Sequence, residues 1–296
     1  MSTVRGTLFI NKRSGSTSPA IVESILAAAE EAGLEAVEII PSLDIPSAVR
    51  ERMDRGVKLF VAAGGDGTIN HVMQALVGRQ EVLAILPIGT FNHFARDMKI
   101  PLDWRQALEV AMSGTTIQVD CARINSRYFL NNISFGLYPE MVVEREKFRG
   151  QGKFRAYRYA IFAALKKFKH VSLQMETAYR MEAIRTHMFM VAVNPYDMGR
   201  FGMIAPRETL DGGRLVVYWL PHIARIRLIR LVARYLRGKM ALGEDFHSVR
   251  TPDLRVRSSH HMLRFGMDGE LVEMAPPFQI ALVPSSVMVR VPRDKG

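Results

Sequence analysis

An apolar run that breaks into glycines and then into a helical pattern constrains this chain more than any other stretch. Residues 57–70 read Val-Lys-Leu-Phe-Val-Ala-Ala-Gly-Gly-Asp-Gly-Thr-Ile-Asn. Leu59, Phe60, Val61, Ala62 and Ala63 form the kind of continuous apolar strand that is buried in a sheet covered on both faces. Gly64, Gly65, Asp66, Gly67 and Thr68 follow as a turn, and an amphipathic helical pattern begins at Ile69. Strand, glycine turn and helix place backbone N–H groups and a positive helix end in front of an anion. The turn also carries a carboxylate, Asp66. A carboxylate beside a bound polyphosphate repels it unless a cation or proton lies between them, so the turn suggests Mg–nucleotide handling.

The same grammar recurs along the first part of the chain. Strand-like segments at 8–10, 34–40, 58–63 and 82–86 alternate with helical patterns at 20–33, 46–55, 69–77, 91–98 and 104–112. Such alternation predicts a parallel sheet with helices on both faces, a Rossmann-like α/β domain over residues 1–120. Beyond residue 121 the texture changes to short β-like runs at 122–124, 128–133, 187–194, 215–220, 254–258, 262–265, 279–283 and 287–291. Helical patterns at 154–168 and 223–236 interrupt them. Residues 121–296 therefore read as a mainly antiparallel β-sandwich domain, with the last strand free to return to the first.

Composition narrows the classes. The chain has 296 residues and a formal net charge of +11. Its single cysteine, Cys121, excludes an intrachain disulfide and a cysteine-based zinc site and fits a reducing, cytoplasmic setting. No run of 18 apolar residues suggests a transmembrane helix, and the first residues lack the apolar core of a signal peptide. Cations cluster at 145–169 and 223–240. Such clusters attract nucleic acid, an anionic membrane surface or a phosphorylated substrate, and they also occur as plain solvated faces. No aromatic-rich stretch accompanies them, which argues against nucleic acid. On the 223–236 helix, Arg227, Arg230, Arg234 and Arg237 share one face, as in a membrane-surface helix or a helix packed on its own domain.

Two further turns repeat the opening design. Ala84-Ile85-Leu86-Pro87-Ile88-Gly89-Thr90-Phe91-Asn92 runs from a strand to a helix start, with Thr90 a candidate N-cap. Asn11-Lys12-Arg13-Ser14-Gly15-Ser16 follows the first strand and combines hydroxyls, a glycine and two cations. Three turns at the ends of three parallel strands make one phosphate-binding rim. The chain lacks the Walker pattern and a Gly-x-Gly-x-x-Gly after a strand.

These segments resemble the diacylglycerol kinase catalytic domain, in its soluble bacterial lipid kinase branch. The resemblance rests on Gly64-Gly65-Asp66-Gly67-Thr68-Ile69-Asn70, Leu86-Pro87-Ile88-Gly89-Thr90-x-Asn92 and Asn11-x-x-Ser14-Gly15. It continues through Val119-Asp120, Arg127-Tyr128-Phe129-Leu130-Asn131-Asn132-x-Ser134-x-Gly136, Ala205-Pro206 to Leu215, and Met267-Asp268-Gly269-Glu270, which spans nearly the whole chain in order. The resemblance implies ATP with Mg²⁺ on the α/β domain and a lipid held by the β domain, with the active site between them. Asn11, Ser14, Gly15, Ser42, Gly64, Gly65, Asp66, Gly67, Thr68, Asn70, Gly89, Thr90 and Asn92 would take the nucleotide. Ser42 matches only loosely.

By the same resemblance Asp66 and Glu270 are catalytic, with Asp66 positioning Mg–ATP and Glu270 as general base. An alcohol is a poor nucleophile at neutral pH, and a carboxylate in reach can accept its proton. Asp268-Gly269 also reads as a hairpin turn with an exposed Glu270. Lys153, Arg155 and Arg158 are candidates to meet phosphates or headgroups. The implied enzyme is peripherally membrane-associated and acts on a lipid at an anionic bilayer, with no nucleic-acid partner; a homodimer stays open.

Three positions depart from the family pattern. His93 follows Asn92 where Asp is common, His71 follows Asn70 where Glu is common, and Asp211-Gly212-Gly213 replaces an Asp-Asp-Gly that binds a structural Mg²⁺. Asp211 is the one carboxylate left for that metal. His260-His261 and the methionines Met181, Met188 and Met190 read as structural, the latter as core filling. The rival readings are an NAD kinase, whose Gly-x-Asn-x-Gly segment is missing, and a non-catalytic nucleotide sensor.

Overall fold

β1 (Gly6–Ile10), β2 (Leu34–Glu38), β3 (Leu59–Gly64) and β4 (Val82–Pro87) form a parallel sheet in the order β2-β1-β3-β4. This is a computed structural model, and it describes residues 6–15, 17–136, 170–196, 207, 209–222 and 246–293. The chain divides into two units, Met1–Cys121 with Val283–Gly296, and Ala122–Leu282.

In the first unit the helices α1 (Pro19–Glu31), α2 (Ile45–Asp54), α3 (Asp66–Met73), α4 (His93–Asp97) and α5 (Trp104–Ser113) connect the strands. Their starts are written in the sequence. Ser18, Asp44 and Asp103 each accept a backbone N–H from the first turn of α1, α2 and α5. Proline opens α1 and α2, where a missing N–H costs nothing. The residues Leu59 to Ala63 are all buried, as an inner strand of a sheet covered on both faces requires. Ile10 lies opposite Ala63 and Glu38, and Ala63 opposite Leu86, so four adjacent strands stop at one level. The loops that follow them therefore open at the same end of the sheet.

β5 (Thr115–Ile124) leads into the second unit, which holds β6 (Arg127–Phe129), β7 (Asn132–Gly136), β8 (Val171–Thr177), β9 (Met181–Val193), β10 (Leu215–Pro221), β11 (His247–Thr251), β12 (Asp253–Ser258), β13 (Leu263–Met267) and β14 (Glu270–Met274). β15 (Phe278–Val291) begins beside β12 and ends parallel to β4. The pairings within the second unit are antiparallel, in the order β14-β13-β7-β9-β8-β12-β15. Alternate residues build its main core, including Phe129, Phe135, Phe189, Trp219, Phe265 and Phe278. Phe135 stacks on Phe189 and meets Phe265 edge-on, at 4.8 and 5.3 Å between centroids.

The architecture is the expected α/β domain and β-sandwich-like region, with local corrections. α3 starts at Asp66, three residues earlier than its apolar pattern, because Gly65 serves as N-cap and Asp66 suits a first turn. α4 is shorter than 91–98, and its N-cap is Asn92, so Thr90 is not the cap. The two runs at 279–283 and 287–291 are one strand that passes through Ser285 at φ 46°. β8 and β11 were not expected. Met188 and Met190 pack in a second buried cluster with Ala192, Val216 and Tyr218, but Met181 is 69% exposed and fills no core. His260 and His261 lie exposed in a turn rather than on a strand. The helical patterns at 154–168 and 223–236, the basic cluster with Lys153, Arg155 and Arg158, Ala205-Pro206 and Ser16 lie outside the described residues.

Candidate functional site

The three glycine turns meet in the first unit, backbone against backbone. Gly15 has φ +63°, and a Cβ there would sit 2.6 Å from the Ile88 carbonyl oxygen. A Cβ on Gly89 would run into the Cα of Gly65. Glycine is demanded at both places by close approach, and at Gly15 also by the left-handed backbone. A backbone bond and two side chains stitch the same contact. Asn11 N–H donates to Ala63 O at 2.9 Å, and Thr17 Oγ1 donates to Ile88 O at 3.2 Å. Asn11 Nδ2 reaches Thr68 Oγ1 at 3.5 Å.

Asp66 is the centre of this arrangement. Its Oδ2 accepts the His93 N–H at 3.1 Å and its Oδ1 accepts the Phe94 N–H at 2.9 Å. The carboxylate thus caps α4 from another loop, a role the sequence did not announce. Asn92, the nominal N-cap, is left-handed at φ 53° and makes no cap bond. Its Nδ2 instead donates to Pro87 O and Gly89 O, both at 3.0 Å, and shapes the loop from inside. Asn92 Oδ1 is buried and finds no donor among the described residues. Asn70 is buried and accepts from Gln74 Nε2 at 2.8 Å, so it braces α3.

What remains open at the rim is backbone. The first intrahelical bond of α3 runs from Ile69 N–H to Gly65 O. The amides of Asp66, Gly67 and Thr68 therefore have no acceptor within the helix. They are the oriented donors that an anion needs. The Asn11–Gly15 turn folds on itself, with Arg13 N–H on Asn11 Oδ1 at 3.1 Å. Lys12 pairs with Glu38 at 2.7 Å, and Arg13 is exposed. Thr90 is exposed beside Gly89. Ser42 is exposed in the loop after β2, next to β1 in the sheet.

The donor chemistry at Asp66 fits a hard cation. Each carboxylate oxygen spends one lone pair on an amide and keeps another, and Mg²⁺ takes one or two carboxylates plus phosphate oxygens. His93 adds no oxygen; its ring stacks on Phe91 at 5.5 Å.

The second unit carries the other candidate residues. Asp268 and Gly269, with φ 45° and 89°, make the two-residue turn between β13 and β14, as Asp-Gly predicts. Asp268 is 4% exposed and its carboxylate accepts three backbone amides: Leu130 at 2.7 Å, Asn131 at 2.8 Å and Asn132 at 3.2 Å. Its own N–H donates to Asn132 O at 3.1 Å. Two segments 136 to 138 residues apart in sequence are thereby locked together, with half-buried Glu270 directly after the turn. The hairpin reading and the functional reading of Glu270 are thus compatible.

Asp211 fares less well as a metal ligand. It is exposed, and its Oδ1 accepts from Thr209 Oγ1. Among the described residues no group of three or more His, Cys, Asp or Glu side chains could hold a metal ion. Sequence reasoning missed the roles of Asp268, Arg207 and Asn194 in this unit. For Asp268 the Asp-Gly hairpin signal was visible but its clamp was not.

Comparisons with known proteins show which family the chain resembles. Residues 5–124 match the family model described as diacylglycerol kinase catalytic domain. Residues 133–291 match the YegS C-terminal NAD kinase beta sandwich-like domain. The chain is 27% identical to a diacylglycerol kinase of Bacillus subtilis, over 86% of this chain and 84% of that one. It is 30% identical to a probable lipid kinase YegS-like protein of Serratia proteamaculans, over 82% and 80%. It is 32% identical to a diacylglycerol kinase of Staphylococcus aureus, over 77% and 72%. In fold it matches a crystal structure of a diacylglycerol kinase from Bacillus anthracis with a TM-score of 0.73 over 98% of both chains, at 19% identity.

Proposed function

The chain belongs to the diacylglycerol kinase catalytic domain family of lipid kinases, and on that premise we propose that it transfers the γ-phosphoryl group of ATP to the hydroxyl of diacylglycerol or a related membrane lipid. The observation that carries this reading is the rim, where the first amides of α3 have no acceptor within the helix and lie beside a carboxylate that also anchors the neighbouring loop. Asn11, Ser14, Gly15, Gly65, Gly67, Thr68, Gly89 and Thr90 would hold the phosphates, and Asp66 would hold Mg²⁺. When bound, Mg–ATP supplies the transferable group and neutralises charge as it moves. The protein's part is positioning: the rim would fix the phosphates while Glu270 would hydrogen-bond the lipid alcohol and take its proton as the new O–P bond forms and the bond to the departing ADP breaks. Membrane association is peripheral in this reading; no described helix is long and apolar enough to cross a bilayer.

The test is transfer of label from γ-labelled ATP to a lipid panel in mixed micelles. The reading expects labelled phospholipid from the wild type and a loss of about 10³-fold in Glu270→Gln, the scale of removing an acid–base group and a contact together. Phosphorylation of NAD with no lipid product would instead favour the NAD kinase reading. Binding of ATP with no product from either would leave a sensor.

A further inference from the structure

The loop from Thr209 to Leu215 is where the family pattern calls for a structural cation, and the residues present do not fit one. Position 212 holds glycine. A Cβ there would lie 2.6 Å from Thr209 Cγ2 and 2.9 Å from Asn194 Oδ1, so a carboxylate at 212 requires its neighbours to move. The space is held by Asn194, which is fully buried at φ 66°. Its N–H donates to Arg214 O at 2.9 Å and its Oδ1 accepts Arg214 N–H at 3.3 Å, a two-point clamp on one residue of the loop. A guanidinium stands beside this clamp. Arg207 Nη1 donates to Val193 O at 3.4 Å, next to Asn194, and to Leu130 O at 2.7 Å. Arg207 thereby sets a fixed positive charge against the carbonyls of Val193 and Leu130.

Arg207 also reaches toward the Asp268–Glu270 turn through one residue. Leu130 gives its carbonyl to Arg207 and its N–H to Asp268 Oδ2. Asn131 O accepts Val193 N–H at 2.9 Å, and Asn132 Nδ2 donates to Tyr196 Oη at 2.9 Å. Tyr196 pairs in turn with Arg207 across an isolated antiparallel bridge. Residues 130–132 are therefore gripped from two sides, by Arg207 at a carbonyl and by Asp268 at three amides.

We propose that Arg207 is a positioning residue for Glu270. Its guanidinium, with Asn194, takes the structural place of a divalent cation and holds residues 130–132 so that the Asp268–Glu270 turn is set without metal. The importance of Glu270 rests on the kinase reading above; the clamp itself does not.

The experiment follows backbone amide exchange by mass spectrometry in peptides covering 128–134 and 264–272, for wild type, Arg207→Met and Arg207→Lys, without nucleotide. Arg207→Met should speed exchange in both segments by about tenfold or more while protection across 59–73 stays as in wild type. Arg207→Lys, which keeps a cation but loses the fork, should fall between. Wild-type melting should not move with 5 mM MgCl₂ or with EDTA, quantities chosen to saturate or strip a structural site. Unchanged exchange in Arg207→Met, or a saturable rise in melting temperature with Mg²⁺, overturns the proposal. If Arg207→Met does not fold, Arg207→Lys decides by the same exchange criterion. In the micelle assay Arg207→Met should lower kcat for lipid about tenfold with the Kd for ATP unchanged. A wild type that transfers nothing to lipid defeats the kinase reading and leaves the exchange result standing.

Discussion

At the scale of single residues, Asp66 has more than one task. Its two hydrogen bonds to the start of α4 join the second and third turns of the rim before any ligand arrives. Asp66→Ala should therefore cost about 1–2 kcal/mol of stability as a lost cap, in addition to its effect on ATP binding. Asp66→Asn keeps one acceptor and should recover much of the stability but little of the Mg-dependent ATP affinity. Urea unfolding and calorimetric ATP titration of the two variants would separate these effects; equal stability of Asp66→Ala and wild type contradicts the cap. Two glycines give a matched comparison. Gly15 and Gly213 both have φ near +64°, but only Gly15 faces foreign backbone, and nothing lies within 4 Å of a Cβ on Gly213. Gly213→Ala should cost about 1 kcal/mol. Gly15→Ala should cost more and lower ATP affinity, because Ile88 and Gly89 must retreat. Asp268 makes the third case. Removing a buried acceptor of three amides, as in Asp268→Ala, should destabilise by about 2–4 kcal/mol in urea unfolding, whereas Glu270→Gln should unfold like wild type.

At the scale of elements, what was legible was what local chemistry determines. The strand at 58–63, the caps at Ser18, Asp44 and Asp103, and the Asp268-Gly269 turn each carry their signal within a few residues. β8 was legible in principle, since Val171, Leu173 and Met175 are buried and alternate with exposed residues, but its period-2 pattern is short and polar. The start of α3 was not legible from apolar period, because a Gly-Asp-Gly stretch forms a helix end only when packing and a cap make it one. One ion pair makes a pH prediction at this scale. Glu81, 7% exposed, bonds Lys58 Nζ at 2.6 Å just before β4. The Lys58 hydrogen bond holds its carboxyl below the usual value, against the opposing effect of burial. A depressed folded-state pKa means the stabilisation is present above the unfolded value of about 4.3 and is lost as pH falls through the folded value. Lys58→Met should thus be less stable than wild type by about 1 kcal/mol at pH 7, with the difference shrinking as pH falls below the unfolded value in urea unfolding. A difference that does not shrink on acidification contradicts the assignment.

At the scale of the whole chain, alternation of strands and helices followed by short β runs was enough for the α/β and antiparallel classes, and the motifs in order were enough for the family. The candidate site was only half legible. Residue types and their places at strand ends could be read at Gly64 to Thr68. The long-range bonds from Asp66 to α4, from Asp268 to residues 130–132 and from Arg207 to Leu130 could not, because each joins segments whose proximity is a product of folding. The net charge of +11 agrees with a polyanionic substrate or surface and names neither. The central claim is that the glycine rim and Glu270 serve one phosphoryl transfer to a lipid alcohol. It is tested most directly by single-turnover transfer of γ-labelled phosphate from ATP to diacylglycerol in mixed micelles, for wild type, Asp66→Ala and Glu270→Gln. The account predicts labelled lipid from wild type, loss of transfer together with weakened ATP binding in Asp66→Ala, and loss of transfer with ATP binding intact in Glu270→Gln. Transfer at the wild-type rate by Glu270→Gln would contradict it.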